Sequence, residues 1–362
     1  MPQSPPPVIV KVAEKIRNQL SAARRKMAPP NLASFDFVND LWGFSVVHAL
    51  AKLEIPDQIQ SGIRHAPTIA AKIEADPDHV YRLMRAATNL DVLREHRDGT
   101  FSLTPVGASL CKNSPGSLRD YLLFMGDYGL KFWGALPDAI RTGKSSIELL
   151  SGKKPFDVFK GDPAMLESFN RAMTAISEFV IDGLISVYPF HPYKKIVDVG
   201  GGHGRLLRGI LEQSKASTGV LFDLPEVVKG VSAVLNDPAI SRRCEIVGGS
   251  FFEAVPAGGD LYVMKAILHD WSDRDAALIL ESIRKVIPST GRLLLVEMMV
   301  PGPNEKHPSK FLDIEMIVHA GGRERTRAQF ETLLGHSGFR LDRVIPMAGP
   351  TSVIEASPVQ KS

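Results

Sequence analysis

The sequence has few cysteines, little net charge and no long apolar run, and each of these absences excludes a class of protein. Two cysteines among 362 residues, Cys111 and Cys244, are too few for a disulfide framework or a cysteine zinc site. The formal net charge of +3 argues against a broad nucleic-acid-binding surface, which needs clustered basic residues. Apolar runs stay below the ~18 residues of a membrane span, and the proline-rich N-terminus lacks a basic signal region. We therefore expect a cytoplasmic protein that neither spans a membrane nor binds nucleic acid.

The length and composition indicate a globular chain with room for two domains, since 44% of its residues are apolar and 23% are charged. After Pro7, apolar residues recur at helical spacing until Pro29 and Pro30, which end the pattern. We predict four segments, namely an N-terminal helical extension, a winged-helix-like unit, a helical connector and an α/β domain, over residues 1–30, 31–112, 113–190 and 191–362.

The second segment resembles a winged helix, because predicted helices are followed by a small hairpin. Its third helix is predicted over residues 78–93, and the turn dipeptide Asp98-Gly99 separates two short strands. Many winged helices bind DNA, but this third helix carries acidic as well as basic side chains. A DNA-binding regulator with a small-molecule sensor domain therefore remains the alternative from another functional class.

From Lys194 onward, predicted strands and helices alternate, which indicates a doubly wound parallel sheet with its ligands at the carboxyl ends of the strands. We predict strands near 195–199, 218–222, 245–247, 260–264 and 292–299, and helices near 205–213, 225–235, 274–287 and 326–336. Two last strands, near 339–347 and 351–357, are joined by a turn at Ala348-Gly349-Pro350 and are predicted to close the sheet as a hairpin.

A glycine-rich turn follows the first strand of this sheet. Residues 198–204 read Asp-Val-Gly-Gly-Gly-His-Gly. Glycines allow a tight turn whose backbone can lie against a ligand, because no Cβ intervenes. The dinucleotide fingerprint would need glycine at position 205, where this chain has Arg205. The run instead resembles the glycine loop of class I S-adenosylmethionine (SAM) methyltransferases.

Three further strand ends carry candidate residues. Asp223 lies about 20 residues beyond the glycine loop, where a carboxylate can accept hydrogen bonds from ribose hydroxyls, or could instead cap the helix that starts at Pro225. At the next strand end, Ser250 stands where the methyltransferase pattern usually has an aspartate that bonds the adenine amino group. Phe251 could pack on the adenine ring or in the core. His269 follows the fourth strand, at the ligand edge of the sheet.

Five segments, taken in order, closely resemble the O-methyltransferase family that includes plant caffeic acid and flavonoid enzymes and bacterial polyketide-tailoring enzymes. They are residues 197–204, 221–228, 265–273, 296–297 and 321–326. The resemblance implies a Rossmann-like class I SAM methyltransferase domain, whose parallel sheet ends in an antiparallel hairpin, together with an N-terminal dimerisation domain. It also implies a homodimer that transfers a methyl group from SAM to a hydroxyl of a small aromatic or polyketide-like acceptor.

The resemblance extends to individual residues. His269 matches the family's general base, and Glu297 and Glu324 match its two flanking carboxylates. A phenol has a pKa of about 10, so a base of pKa about 6.5 at the hydroxyl can remove its proton as attack proceeds. The expected cofactor-binding residues are Asp198, Gly200, Gly202, Asp223, Leu224, Ser250, Phe251 and Lys265, and the expected acceptor-lining residues are Met125, Met173, Trp271 and Met316.

The same fold could also carry a non-methylating or an N-methylating tailoring reaction, and the sequence leaves both open. A metal site could be drawn from His269, Asp270 and Asp273, but the family's chemistry needs no metal and we predict none. The identity of the acceptor does not follow from the sequence.

Overall fold

The structure is a computed structural model that describes residues 7–229, 231, 235 and 237–359. The chain forms two compact units. We call one the α/β unit, which contains the described residues up to 15, residues 132–158 and the described residues from 177 onward. The other is the helical unit, which contains residues 16–131 and 159–176. The division into four segments stays a prediction.

Helices dominate the chain before the large sheet. Those of the described residues are α1 (Pro7–Met27), α2 (Pro30–Lys52), α3 (Ile55–Gln60), α4 (Ala66–Lys72), α5 (Pro77–Thr88), α6 (Pro105–Ala108), α7 (Arg119–Phe124), α8 (Leu130–Gly134), α9 (Leu136–Thr142), α10 (Ser146–Ser151), α11 (Pro155–Gly161) and α12 (Pro163–Val187). A π-turn, Met125–Gly129, joins α7 to α8. In the part of the chain that the structure describes, no helix combines the length and apolar character that crossing a membrane requires.

The helical unit contains the predicted hairpin. Strands β1 (Leu93–Glu95) and β2 (Phe101–Leu103) pair antiparallel around Asp98-Gly99. The helix predicted over 78–93 is shorter than expected: α5 ends at Thr88, because the chain turns at Asp91, whose φ is 52°, and Leu93 already belongs to β1. The core of this unit is a cluster of buried side chains that includes Leu50, Ile69, Met84 and Phe101.

The α/β unit is built on one mixed sheet. Its strands are β3 (Lys195–Val199), β4 (Thr218–Asp223), β5 (Cys244–Gly248), β6 (Leu261–Lys265), β7 (Arg292–Val300), β8 (Arg325–Thr326), β9 (Phe339–Pro346) and β10 (Thr351–Pro358). The spatial order is β5-β4-β3-β6-β7-β10-β9, and β8 pairs with β7. Neighbouring strands from β5 to β7 are parallel, whereas β10 runs antiparallel to both β7 and β9. The predicted parallel sheet with a terminal antiparallel hairpin is therefore confirmed.

Helices cover both faces of this sheet. They are α13 (Arg205–Gln213), α14 (Pro225–Val228), α15 (Pro238–Ser241), α16 (Asp273–Val286), α17 (Ser309–Val318) and α18 (Arg327–His336). Successive residues of a strand point to opposite faces, so Tyr262 and Met264 of β6 join one core cluster and Leu261 and Val263 join the other. Of the helix predicted over 225–235, the described part is the single turn α14; residues 230 and 232–234 lie outside the described residues.

Candidate active site

The glycine loop lies where β3 ends and α13 begins. Gly200, Gly202 and Gly204 all have positive φ, between 57° and 80°. A Cβ on Gly201 would lie 2.4 Å from Leu221 Cδ1 and 2.7 Å from the carboxyl carbon of Asp198. The loop therefore requires glycine both for its backbone conformation and for its close packing. Around Gly202, by contrast, a Cβ would meet no atom within 4 Å.

Asp223 joins the ends of three strands. Its Oδ2 accepts a hydrogen bond from Gly202 N at 2.7 Å and its Oδ1 accepts one from Leu224 N at 2.7 Å. Its carbonyl oxygen accepts a further bond from Gly249 N at 2.9 Å. The sequence left two interpretations of Asp223 open, a helix cap and a ribose contact. The structure does not have the helix cap, because Leu224 is the N-cap residue of α14 and no side chain caps that helix. Ribose binding by Asp223 and a cofactor contact by Leu224 stay predictions.

Two oppositely charged side chains are buried beside the loop. Asp198 is 1% exposed at the end of β3, and its Oδ2 has no hydrogen-bond partner among the described residues. Burial raises the pKa of Asp198 to about 7, although Lys265 opposes the shift. Burial lowers the pKa of Lys265, at the end of β6, against the charges of Asp198, Glu297 and Asp270. An unpartnered buried carboxylate oxygen suits a cationic ligand, so Asp198 fits SAM, which carries ammonium and sulfonium groups.

An aromatic cluster lies at the end of β5. Phe251 and Phe252 both meet Trp271 edge-on, with ring centroids 5.8 Å and 4.7 Å apart. Ser250 Oγ accepts a hydrogen bond from Phe252 N at 3.3 Å. The structure thus brings Trp271, predicted to line the acceptor, together with Phe251, predicted to contact the adenine.

His269 lies in a 3-10 turn, Leu268–Asp270, between β6 and α16. Its Nδ1 is 2.7 Å from Glu324 Oε1, a hydrogen bond, and 3.6 Å from Glu297 Oε2. Its Nε2 is 3.7 Å from Asp270 Oδ1. The side chains of Glu297 and Glu324 are fully buried and that of His269 is 13% exposed. The structure therefore brings the three predicted catalytic residues together.

The two glutamates make different contacts. Glu324 bonds the imidazole directly, whereas Glu297 Oε1 accepts hydrogen bonds from the backbone N–H groups of Ile267 and Leu268, at 3.1 Å and 3.0 Å. Glu324 is placed by its own N–H, which donates to Asp313 at 2.9 Å. Glu297 thus holds the turn that carries His269, and Glu324 holds the ring.

The electrostatics of the site favour a charged imidazole. Burial lowers the pKa of His269, but Glu297, Asp270 and Glu324 together raise it to about 10. Burial raises the pKa of Asp270 to about 6 and raises that of Glu324 as well. His269, Glu297 and Glu324 also offer donor atoms within 4.8 Å of one another, a spacing that a metal ion could bridge. The hydrogen bond between His269 and Glu324 accounts for two of these atoms, and the absence of a metal stays a prediction.

The sequence did not identify Arg325, whose side chain holds the turn that carries His269 in place by hydrogen bonds. Its guanidinium is fully buried and donates to Leu268 O at 2.7 Å, to Trp271 O at 2.9 Å and to Asp273 Oδ1 at 2.9 Å. The only sequence signal was its place in the segment 321–326, which contributed to the family resemblance. Beside it, Arg323 N donates to His269 O at 2.8 Å.

We expect Arg325→Met to lower the free energy of unfolding by about 2–6 kcal/mol, because the carbonyl groups of Leu268 and Trp271 each lose a donor at about 1–3 kcal/mol. Arg323→Met is the matched control: that side chain also pairs with Asp273, at 3.2 Å, but is 47% exposed, so a change below ~1 kcal/mol is expected. Urea denaturation measures both. Equal losses in the two variants would contradict the role of the buried contacts.

The four predicted acceptor-lining residues are divided between the units. Met125, in the π-turn, and Met173, in α12, belong to the helical unit. Trp271 and Met316 belong to the α/β unit, where Met316 is buried on α17. Their contact with an acceptor stays a prediction.

Comparisons with known proteins identify the family of this chain. A family model described as the O-methyltransferase domain matches residues 133–340, and one described as the O-methyltransferase dimerisation domain matches residues 35–113. The chain is 32% identical to the phenazine O-methyltransferase PhzM of Lysobacter antibioticus, over 93% of this chain and 98% of that protein. It is 34% identical to an 8-amino-8-demethylriboflavin N,N-dimethyltransferase of Streptomyces davaonensis, over 86% and 90% of the two chains.

Solved structures give the same result. The SAH-bound form of CalO1, a methyltransferase in calicheamicin biosynthesis, superposes with a TM-score of 0.80 and 31% identity, over 91% of this chain and 98% of that one. Its ligand is the demethylated form of SAM. The glycine loop, the sheet order and these matches lead to one conclusion: the chain belongs to the family of SAM-dependent O-methyltransferases that carry a dimerisation domain.

Proposed function

We propose that this methyltransferase transfers the methyl group of SAM to a hydroxyl group of a small aromatic or polyketide-like acceptor. The observation that carries the proposal is the buried pair of His269 Nδ1 and Glu324 Oε1, 2.7 Å apart at the ligand edge of the sheet. A hydroxyl of pKa about 10 must lose its proton to become a good nucleophile. An imidazole whose Nδ1 is hydrogen-bonded to Glu324 can accept that proton at Nε2.

In this proposal the residues of the site have separate roles. SAM supplies an electrophilic methyl group on its sulfonium. Glu324 sets the orientation of the imidazole, Glu297 holds the turn beneath it, and Asp223 and the glycine loop bind the cofactor. Alignment of the acceptor oxygen with the methyl carbon supplies the rest of the rate enhancement, up to ~7–11 kcal/mol.

An amine acceptor is the second candidate, because the N,N-dimethyltransferase relative is 34% identical over 86% of this chain. Incubation with labelled SAM and paired acceptors that differ only in a hydroxyl or an amino group tests the two. A mass gain of one methyl substitution on the hydroxyl member supports our proposal. Methylation of the amino member alone would replace it with the second candidate.

We also propose that the enzyme is a cytoplasmic homodimer. The match to the dimerisation domain over residues 35–113 supports a dimer. Large apolar side chains within and just before this segment support it as well, since Leu32, Phe37 and Trp42 of α2 are at least half exposed in the single chain. Light scattering of the purified protein tests the oligomeric state.

The residue at position 250 provides a test of the cofactor site. We expect Ser250→Asp to tighten SAM binding about tenfold, because a carboxylate accepts a stronger hydrogen bond from an adenine amino group than a hydroxyl does. Calorimetry measures the Kd. Ala254→Asp is the matched control, since it adds the same charge at an exposed position four residues away. Unchanged binding in Ser250→Asp would contradict an adenine contact there.

A further inference from the structure

The π-turn between α7 and α8 departs from regular helix geometry. The N–H of Leu130 donates to the carbonyl oxygen of Met125, five residues earlier, whereas an α-helix pairs each N–H with the carbonyl four residues earlier. Single π-turns inside helices are rare and are frequently found at functional sites. The contacts of residues 125–129 show what holds this turn in place and what the turn holds.

Helix α2 binds the turn through the carboxylate of Asp127. Its Oδ2 lies 2.6 Å from Lys52 Nζ, and its Oδ1 lies 3.0 Å from His48 Nε2. Burial raises the pKa of Asp127, but Lys52 and His48 outweigh it and hold that pKa below its ordinary value, so the carboxylate is charged. The ring of His48 also stacks on that of Phe44, with an angle of 8° between the ring planes. One carboxylate thus ties the turn to two side chains that are one helical turn apart on α2.

The backbone of the turn lies directly against the ring of His48. A Cβ on Gly126 would lie 2.1 Å from Cδ2 and 2.3 Å from Cγ of that imidazole. These distances are far below van der Waals contact, so the close approach of α2 requires glycine at this position. Gly126 and Asp127 therefore hold the turn on α2, the first by shape and the second by charge.

The turn in turn determines where the side chain of Met125 can lie. A Cβ on Gly129 would be 2.8 Å from Cε and 3.0 Å from Sδ of Met125, but 3.6 Å from its Cβ, which is an ordinary contact. The thioether end of Met125 therefore occupies the space that a side chain at position 129 would need. Because methionine is unbranched and has three rotatable bonds, its end settles where the surrounding atoms leave room.

We propose that this π-turn positions the acceptor, and that Asp127 and Gly129 do so by setting the place of the Met125 side chain. The inference rests on the proposed function, since Met125 is one of the residues that the sequence predicts to line the acceptor. Asp127 and Gly129 are positioning residues, because they act through Met125 and need not touch the acceptor themselves. A misplacement of about 1 Å can cost ~10²-fold in rate, so the reaction should respond to changes in this turn.

The test is a double-mutant cycle on kcat/KM for the acceptor at saturating SAM. Gly129→Ala should lower kcat/KM by about tenfold or more, mainly through KM, because the added methyl group displaces the end of Met125. In the Met125→Ala background the same change should have less than about a twofold effect, since the atoms that it displaces are gone. An equal loss in both backgrounds, or no loss in the wild type, would overturn the proposal.

Two controls separate positioning from a general loss of fold. Gly134→Ala adds a methyl group in α8 at a position where a Cβ meets no atom within 4 Å, and it should leave kcat/KM unchanged. Calorimetry with SAM and thermal unfolding should give wild-type values for Gly129→Ala, because only the end of a flexible side chain has to move. Weaker SAM binding by this variant would show that the change acts elsewhere and would overturn the proposal.

Asp127→Asn tests the attachment of the turn to α2. We expect it to raise KM for the acceptor about three- to fivefold, a modest effect because the ion pairs are partly exposed, and to have no effect on KM in the Met125→Ala background. Asp120→Asn is the matched control, since Asp120 lies on α7 and pairs only at 3.8 Å with Arg171. Equal KM values for the two aspartate variants would contradict the role of Asp127.

The cycle is measured on whichever of the paired hydroxyl and amino acceptors the wild type methylates. Transfer to the amino acceptor alone would overturn the proposed function, and the cycle would still test the turn on that acceptor. Additive effects of the substitutions at positions 125 and 129, in an enzyme that methylates the hydroxyl acceptor, would overturn this inference alone.

Discussion

Replacing His269 with alanine is expected to reduce turnover on phenolic acceptors by at least ~10²-fold, the usual share of a positioned proton-handling group. The variant loses the imidazole whose Nε2 is proposed to handle the proton of the acceptor hydroxyl. SAM binding should remain almost unchanged, because the glycine loop, Asp223 and Lys265 lie on other segments of the sheet edge. Steady-state kinetics and calorimetry on the same preparation measure the two effects.

Stability provides the control for this variant. The raised pKa of His269 means that its charge stabilises the fold fully below the unfolded value of about 6.5, and that this contribution disappears as the pH rises through about 10. The free energy of unfolding should therefore differ most between wild type and His269→Ala at pH 6 and should converge near pH 10. Unchanged turnover in a folded variant would remove His269 from the mechanism.

Replacing Gly322 with alanine is expected to cost at least ~10²-fold in kcat, although the residue touches no reacting atom. A Cβ there would lie 2.0 Å from His269 O, 2.4 Å from the carbonyl carbon of Asp270 and 2.6 Å from Trp271 N. All three neighbours are backbone atoms, so no side-chain rotation can relieve the contact. The turn has to move away, and a displacement of about 1 Å at a catalytic group costs about 10²-fold.

The matched control is Gly335→Ala. Gly335 lies in α18 of the same unit, and a Cβ there would meet no atom within 4 Å. Alanine in a helix is favoured over glycine by about 0.5–1 kcal/mol, so this variant should be at least as stable as wild type and equally active. Turnover and thermal unfolding of both variants separate a displaced turn from a general loss of fold. Wild-type turnover in Gly322→Ala would contradict the close approach.

Much of the α/β unit could be predicted from the sequence, because its strands are short buried apolar runs separated by glycine and charged residues. The strand predicted over 195–199 is β3, and the helix predicted over 205–213 is α13. The helix predicted over 78–93 was too long, because apolar spacing does not reveal that Asp91 adopts a left-handed conformation. The short strand β8 carries no sequence signal, since two residues are too few to show alternation.

The site shows a similar limit. The family resemblance identified His269, Glu297 and Glu324 as candidate catalytic residues, and the structure brings these three side chains together. The resemblance could not show that the two glutamates have different roles. Glu297 bonds the backbone of residues about thirty positions earlier, and Glu324 bonds a ring 55 positions earlier, and such long-range contacts are visible only in the folded chain. Asp270 was considered only as a metal ligand, since a neighbour along the chain gives no indication that its carboxylate faces Nε2.

The turn that carries His269 is fastened through its main chain. Glu297 bonds the N–H groups of Ile267 and Leu268, and Arg325 bonds the carbonyls of Leu268 and Trp271. Side chains on such a turn can be exchanged without the loss of its shape, since none of these four bonds depends on them. Position 271, whose ring is predicted to line the acceptor, is therefore a suitable site for saturation libraries that seek new acceptors.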